Sequence, residues 1–167
     1  MTGTLRHVDP TRRAGRLARL VARLATSRTS RFVSRHVGWK LDPLLLRLTR
    51  GRLSTPLVFP TAVLETRGAK SGLRRRNAVI YFHDGDRVTI AASNAGAARD
   101  PDWYANLQAN PSVTFGNIPM HATVVTDAAE TERLWGLADR VFPAYAVYRD
   151  EAARAGRTIP IIQLVER

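Results

Sequence analysis

Two tight-turn signals constrain this chain more than any other feature in it. Asp84-Gly85 stands between the apolar runs Asn77–His83 and Arg87–Ala92, and Gly116-Asn117 stands between Ser112–Phe115 and Pro119–Val125. Such dipeptides reach positive φ at little steric cost and join antiparallel neighbours, so each pair is read as a β-hairpin. Val58–Glu65, with Pro60 near its start, supplies a first strand, and Ile159–Val165 a closing one. Asp100 is placed to cap a helix whose first position is Pro101 and which Asn110-Pro111 ends. Thr126 or Asp127 caps a second helix through Arg140, and Ala144–Ala155 forms a third. Six short strands with one long helical interruption predict an α+β, predominantly β fold. A small antiparallel barrel fits better than a parallel α/β sheet.

A chain of 167 residues is one domain by length, with room for a single core. It has no cysteine, and His7, His36, His83 and His121 show no ligand spacing. A disulfide framework and a thiolate metal site are excluded, and no metal centre is expected. The charge is uneven. Residues 1–52 carry 13 Lys/Arg against Asp9 and Asp42, whereas residues 53–167 carry 13 basic and 12 acidic side chains. The net +12 therefore belongs almost wholly to the N-terminal part. Over 11–25, Arg12, Arg16, Arg19 and Arg23 lie opposite Leu17, Leu20, Val21 and Leu24 at helical spacing. Two readings of that face are open: it lies in an anionic lipid interface, or it packs on the domain with its arginines solvated.

A second helical stretch is expected over 30–50, with Asp42-Pro43 at a helix start and Gly51 as its stop. The division is then a basic helical arm, 1–36, and a barrel domain, 37–167. The arginines interrupt any apolar run that would make a secretory signal, and no run approaches the roughly 20 residues that span a bilayer. The expectation is a soluble, cytoplasmic protein, peripheral at the inner face of the membrane if the arm meets lipid.

Three constellations can carry chemistry. Gly68-Ala69-Lys70-Ser71-Gly72, followed by Arg74, Arg75 and Arg76, forms a basic turn between strands. It is no P-loop, because the glycine spacing fails and no helix follows. It is either a solvated turn or a phosphate contact, with Arg75 and Arg76 on opposite sheet faces. Ser93-Asn94-Ala95-Gly96-Ala97 offers a small-residue strand end that a flat ring can approach, and Asp102-Trp103-Tyr104 opens the next helix. Trp103 and Tyr104 read more readily as core. Phe142, Tyr145 and Tyr148 recur at steps of three, which in a helix makes one face, either a core stripe or a ligand wall. No nucleophile–base pair is present, so an enzyme here relies on a cofactor.

The runs RGAKSGLRRRNAVIYF, VTIAASNAGAARDPDWYANLQANPSV and FPAYAVYRDEAARAGRTIPIIQL together closely resemble the deazaflavin-dependent nitroreductase family, of the F420H2-dependent quinone reductase type. The similarity covers about residues 40–165. It implies a split β-barrel, FMN-binding-like, with flanking helices and coenzyme F420 (8-hydroxy-5-deazaflavin) in a groove. Carried over by motif, Ala69, Lys70 and Ser71 would line the cofactor's phosphate and tail, with Arg75, Arg76, Asn77, Ala78, Val79 and Ile80. Ala91, Ala92, Ser93 and Asn94 would run beside the ring. Asp102, Trp103, Tyr104, Ala105 and Asn106 would complete the groove. Tyr145 would sit close to the ring and Tyr148 would face the substrate. Ser93, Tyr145 and Tyr148 are the expected catalytic residues, and no metal is involved. Family members often have Lys where this chain has Asn94, and some have Tyr in place of Phe142.

The resemblance implies hydride transfer to a quinone, nitroaromatic or similar activated small-molecule acceptor, with Ser93 and Tyr145 steadying developing charge. Other classes compete: a basic nucleic-acid- or membrane-binding protein, and a barrel that uses flavin mononucleotide. The basic arm lacks interleaved aromatics and the rest is nearly neutral, so no nucleic acid partner is expected.

Overall fold

The computed structural model describes residues 5–11 and 59–167. The helices expected over 11–25 and 30–50 and the boundary at residue 36 fall outside them, Thr11 excepted. Six strands form a closed antiparallel barrel in the order β1-β2-β3-β6-β5-β4. In chain order these are β1 (Thr61–Arg67), β2 (Arg74–Asp84), β3 (Arg87–Ala91), β4 (Ser112–Phe115), β5 (Ile118–Val124) and β6 (Ile161–Glu166). Among the described residues three α-helices accompany them: α1 (Asp102–Ala109), α2 (Ala128–Val141) and α3 (Ala144–Arg154).

The turns form where their residues permit. Asp84 pairs with Arg87 across the two-residue loop Gly85-Asp86, and Gly85 adopts φ 60°. Phe115 pairs with Ile118 across Gly116-Asn117, whose φ values are 57° and 71°, the left-handed pair that a type I′ turn needs. The first strand begins later than expected. Pro60 cannot donate to a ladder, so pairing starts at Thr61 and runs on to Arg67, past Glu65. The second begins earlier, at Arg74, because that arginine pairs with Arg67. Pro101, not Asp100, takes the cap position of α1, and no side chain caps it. The Asp100 carboxylate accepts instead from Arg157 Nε at 2.7 Å, where it meets a full positive charge.

Alternation along the strands makes two cores. Leu64, Tyr81, Ile90, Phe115, Ile162 and Leu164 point into the barrel, where Trp103 and Leu107 of α1 close one end. Phe82, Ala91 and Ile161 point outward and are covered by Leu134, Trp135 and Ala138 of α2 and Tyr145 and Ala152 of α3. Asp127 caps α2 by accepting from the Glu130 amide at 2.8 Å. The two helices are pinned together where Arg149 grips Asp139 with both arms, at 2.7 and 2.8 Å, and lies 4.4 Å over the Trp135 ring.

Residues 5–11 pack against β2. Tyr81 donates to the Arg6 carbonyl at 2.9 Å, the Val8 amide donates to His83 Nδ1 at 3.0 Å, and the His83 amide returns a bond to the Val8 carbonyl. His7 stacks on His83 with ring centroids 4.5 Å apart. Burial, then the His7 charge, hold His83 below its ordinary imidazole range. Protonation removes the Nδ1 acceptor, and the unfolded chain takes that proton more readily. Stability is therefore full above the ordinary value of 6.5 and is lost as pH falls through the lower folded value. Thermal midpoints followed from about pH 8 to about pH 5 should decline in the wild type and decline less in His83→Asn. Parallel profiles would remove His83 from the pH dependence.

Candidate functional site

The basic turn is built before it is charged. Gly68 N donates to the Leu73 carbonyl and Gly72 N to the Gly68 carbonyl, each at 2.8 Å, with Gly72 at φ 66°. Asn106 then ties the turn to α1. Its Oδ1 accepts from the Ala69 amide at 2.8 Å, and its Nδ2 donates to Thr66 Oγ1 at 3.3 Å. The register places Glu65 opposite Arg76, so Glu65 takes both Arg76 (2.8 Å) and Arg74 (3.3 Å). Arg75, opposite Thr66, is on the other face, as alternation requires. Of the turn's four cations, Lys70 and Arg75 have no ion pair among the described residues, and both are exposed.

Beyond β3 the chain coils tightly. Asn94, Ala95 and Gly96 have φ of 46°, 49° and 71°, an uncommon succession for two residues with side chains. Gly96 is required here: a Cβ on it would lie 3.0 Å from the Tyr148 carbonyl oxygen and 3.1 Å from Tyr148 Cα. Asn94 Nδ2 donates to the Arg99 carbonyl at 2.9 Å, and Arg99 reaches Asp102 at 3.1 Å. Arg157, which the sequence reading did not single out, holds this loop from behind. It donates to the Ser93 carbonyl (3.1 Å), the Ala97 carbonyl (2.7 Å) and the Ala92 carbonyl, besides Asp100. The only signal in the sequence was a lone cation after Gly156 on the approach to an apolar strand.

The aromatic series does not share one helix. Phe142 ends α2, and Pro143 separates it from α3, which carries Tyr145 and Tyr148. The rings still converge: Phe142 lies 5.0 Å from Tyr145 and 5.8 Å from Tyr148, and the tyrosines are 6.4 Å apart. All three are buried. Burial, with Tyr148 and Asp139 nearby, raises the Tyr145 pKa well above the usual phenol range. The hydroxyl therefore stays protonated and is a donor. The Tyr145 side chain borders a narrow, mainly apolar crevice with Ile80, Phe82, Thr89, Ile90, Ala91, Ala138 and Ile161. Thr89 Oγ1 is buried there without a hydrogen-bond partner among the described residues.

Of the expected site residues, Asn106 is bonded to Ala69 of the turn. On β2, Arg76, Ala78 and Ile80 share the outer face and Arg75 and Asn77 share the other with Val79. Asp102 and Ala105 are exposed on α1. Val79, Ala92, Trp103 and Tyr104 turn into the barrel interior, because alternation and the α1 contact face point them there. Their side chains are buried in the barrel core. Ala91 lies on the outer wall, beside Tyr145. No group of three His, Asp or Glu able to share a metal occurs among the described residues.

This arrangement suits a long, anionic ligand with a flat apolar head. Lys70 and Arg75, without an ion pair among the described residues, would suit its charged end, and the small residues near the aromatic rings would suit its head. Comparison with known proteins points the same way. The sequence model of the family described as F420H(2)-dependent quinone reductase matches residues 23–166. The chain is 33% identical over 148 residues to an F420H(2)-dependent quinone reductase of Mycobacterium tuberculosis, covering 83% of this chain and 98% of that one. Among solved structures it is similar to one described as an F420-H2 dependent reductase, with TM-score 0.55 and 30% identity over 63% of this chain and 93% of that chain. A second, described as a domain-swapped dimer, has TM-score 0.55 and 27% identity, covering 75% and 96%.

Proposed function

The chain belongs to the F420H(2)-dependent quinone reductase family, and from that premise we propose that it reduces quinones with coenzyme F420 by hydride transfer. It is an F420H2-dependent reductase, and coenzyme F420 is its cofactor. The observation that carries the reading to this chain's own residues is the basic turn. Lys70 and Arg75, without an ion pair among the described residues, stand on a turn that Asn106 fixes to α1, which suits the phosphodiester and glutamate tail of the cofactor. Ala91, Ser93 and Asn94 would flank the ring. Nitroaromatics are a second acceptor class by the same chemistry. The arm's meeting with an anionic membrane, where quinones reside, belongs to this proposal as well.

Reduced F420, when bound, supplies the hydride. The chain orients and protonates. Reduction of a quinone to a hydroquinone takes one hydride and one proton, and charge develops on the acceptor oxygen in between. Tyr145 is held protonated by its burial and is the proposed donor to that oxygen. The Ser93 hydroxyl, on a loop fixed by Arg157, is a second donor, and Tyr148 lines the acceptor side. Preorganised donors of this kind stabilise charge without reorganising when it appears.

The test is quenching of deazaflavin fluorescence on titration with protein, followed by quinone-dependent oxidation of reduced F420 monitored by absorbance. No quenching at micromolar protein would end the proposal. Tyr145→Phe is the sharper variant. The hydroxyl has no hydrogen-bond partner among the described residues, so its loss should leave the thermal midpoint in place. Turnover should nonetheless fall by roughly tenfold or more, since about 1.4 kcal/mol of transition-state stabilisation is a factor of ten. Unchanged turnover would make Tyr145 a packing residue.

A further inference from the structure

The loop that carries Ser93 and the helix that carries Tyr145 and Tyr148 belong to different parts of the chain, and one side chain sits at the joint between them. α3 stops where Gly156 adopts φ 73° and the Arg157 amide turns back to the Ala152 carbonyl at 2.9 Å. From that stop the Arg157 side chain, only 7% exposed, runs under the 92–100 loop. It makes four bonds, to the Asp100 carboxylate and to the carbonyls of Ala92, Ser93 and Ala97. The loop's other side rests on α3, where Gly96 leaves no room for a Cβ against Tyr148.

We infer that Arg157 is a positioning residue for the reductase site: it fixes the Ser93 loop relative to the Tyr145 helix. The inference rests on the function proposed above. A peptide plane is rigid, so holding three carbonyls sets the orientation of the peptides that follow Ala92, Ser93 and Ala97. The guanidinium is suited to this because its planar fork offers five donors at fixed angles, and one is drawn by a carboxylate. Lysine, with a single charged point, cannot serve acceptors spread from Ala92 to Asp100. The left-handed Asn94 and Ala95 are conformations that a free loop abandons, so the coil depends on being held.

The experiment compares wild type with Arg157→Lys, Arg157→Gln and Asp100→Asn, using the whole chain. Hydrogen exchange at the amides of Ala92, Gly96 and Ala97, which are bonded within the loop or to Pro160, reads the clamp without any cofactor. Exchange there should accelerate by roughly tenfold or more in both Arg157 variants, with β4 and β5 unchanged. Asp100→Asn removes the one charged acceptor at a partly exposed position and should give a smaller effect in a folded protein. Deazaflavin binding should weaken and kcat fall, each by roughly tenfold in Arg157→Lys, with the KM for quinone little changed. A further variant, Arg157→Ala, should show the same losses, and free guanidinium ion should restore part of both in it.

Unchanged loop exchange in folded Arg157→Lys and Asp100→Asn would overturn the inference. So would faster exchange with cofactor binding and kcat both within twofold of wild type. Should the wild type itself not bind F420, the function proposed above fails, while loop exchange still judges the clamp.

Discussion

Phe115→Ala should lower the free energy of unfolding by about 3–5 kcal/mol, the range for emptying a fully buried aromatic site. The Phe115 side chain is 0% exposed and meets Tyr81 edge-on at 5.4 Å. Its position makes the loss worse than for an average core residue. The barrel closes where β1 meets β4, and that seam is written in two residue pairs, Leu64 with Phe115 and Glu65 with Thr114. A cavity at Phe115 therefore opens beside the shortest ladder in the sheet. Against a total stability of roughly 5–15 kcal/mol for such a domain, the variant should be largely unfolded by modest denaturant. Urea titration followed by circular dichroism reads the change directly. A loss below about 1 kcal/mol would mean that the seam collapses onto the gap and that closure does not depend on this ring.

The second large effect is on cofactor affinity. Replacing Lys70 and Arg75 together by alanine should raise the F420 dissociation constant by roughly a hundredfold. Each charge-assisted bond contributes about 1.5 kcal/mol at the low end that suits exposed groups, and two such losses reach about 3 kcal/mol. The structure supplies the control. Arg74 and Arg76 are engaged by Glu65, so their joint replacement should cost far less, although all four cations stand within one short turn. Added salt should shrink the difference between the pairs, since the exposed contacts are screened. Flavin mononucleotide, which ends at one phosphate, should respond less to the double replacement than the deazaflavin. Equal losses from both pairs would mean that net charge, rather than Lys70 and Arg75 in particular, attracts the tail.

That partition of cations marks where sequence reading stopped. The hairpins were legible because Gly85 and the Gly116-Asn117 pair are the residues such turns demand, and their effect is local. The start of β1 was misplaced because Pro60 allows an extended chain while denying it a ladder bond. Whether Arg75 or Arg76 is free depends on which of them faces Glu65, a register between strands. Likewise Val79, Trp103 and Tyr104 were grouped with the groove by motif, yet alternation and the docking of α1 turn them inward. Arg157 was invisible for the same reason: its four acceptors lie about 60 residues away along the chain, and nothing near it in sequence hints at them. Local rules reached the elements. They did not reach the contacts that decide which side chains are available.

The position of β6 has a consequence for how the protein is made. It comes last of the described strands, yet it pairs with β3 on one side and β5 on the other. Without Ile161–Glu166 the earlier strands can form only an open sheet, β3-β2-β1-β4-β5, with bare edges at β3 and β5. Bare edges recruit other strands, and distant pairings are slow to form. A newly made chain is therefore expected to be prone to aggregate until β6 docks between β3 and β5. Chaperone dependence during translation should be greatest just before that strand emerges.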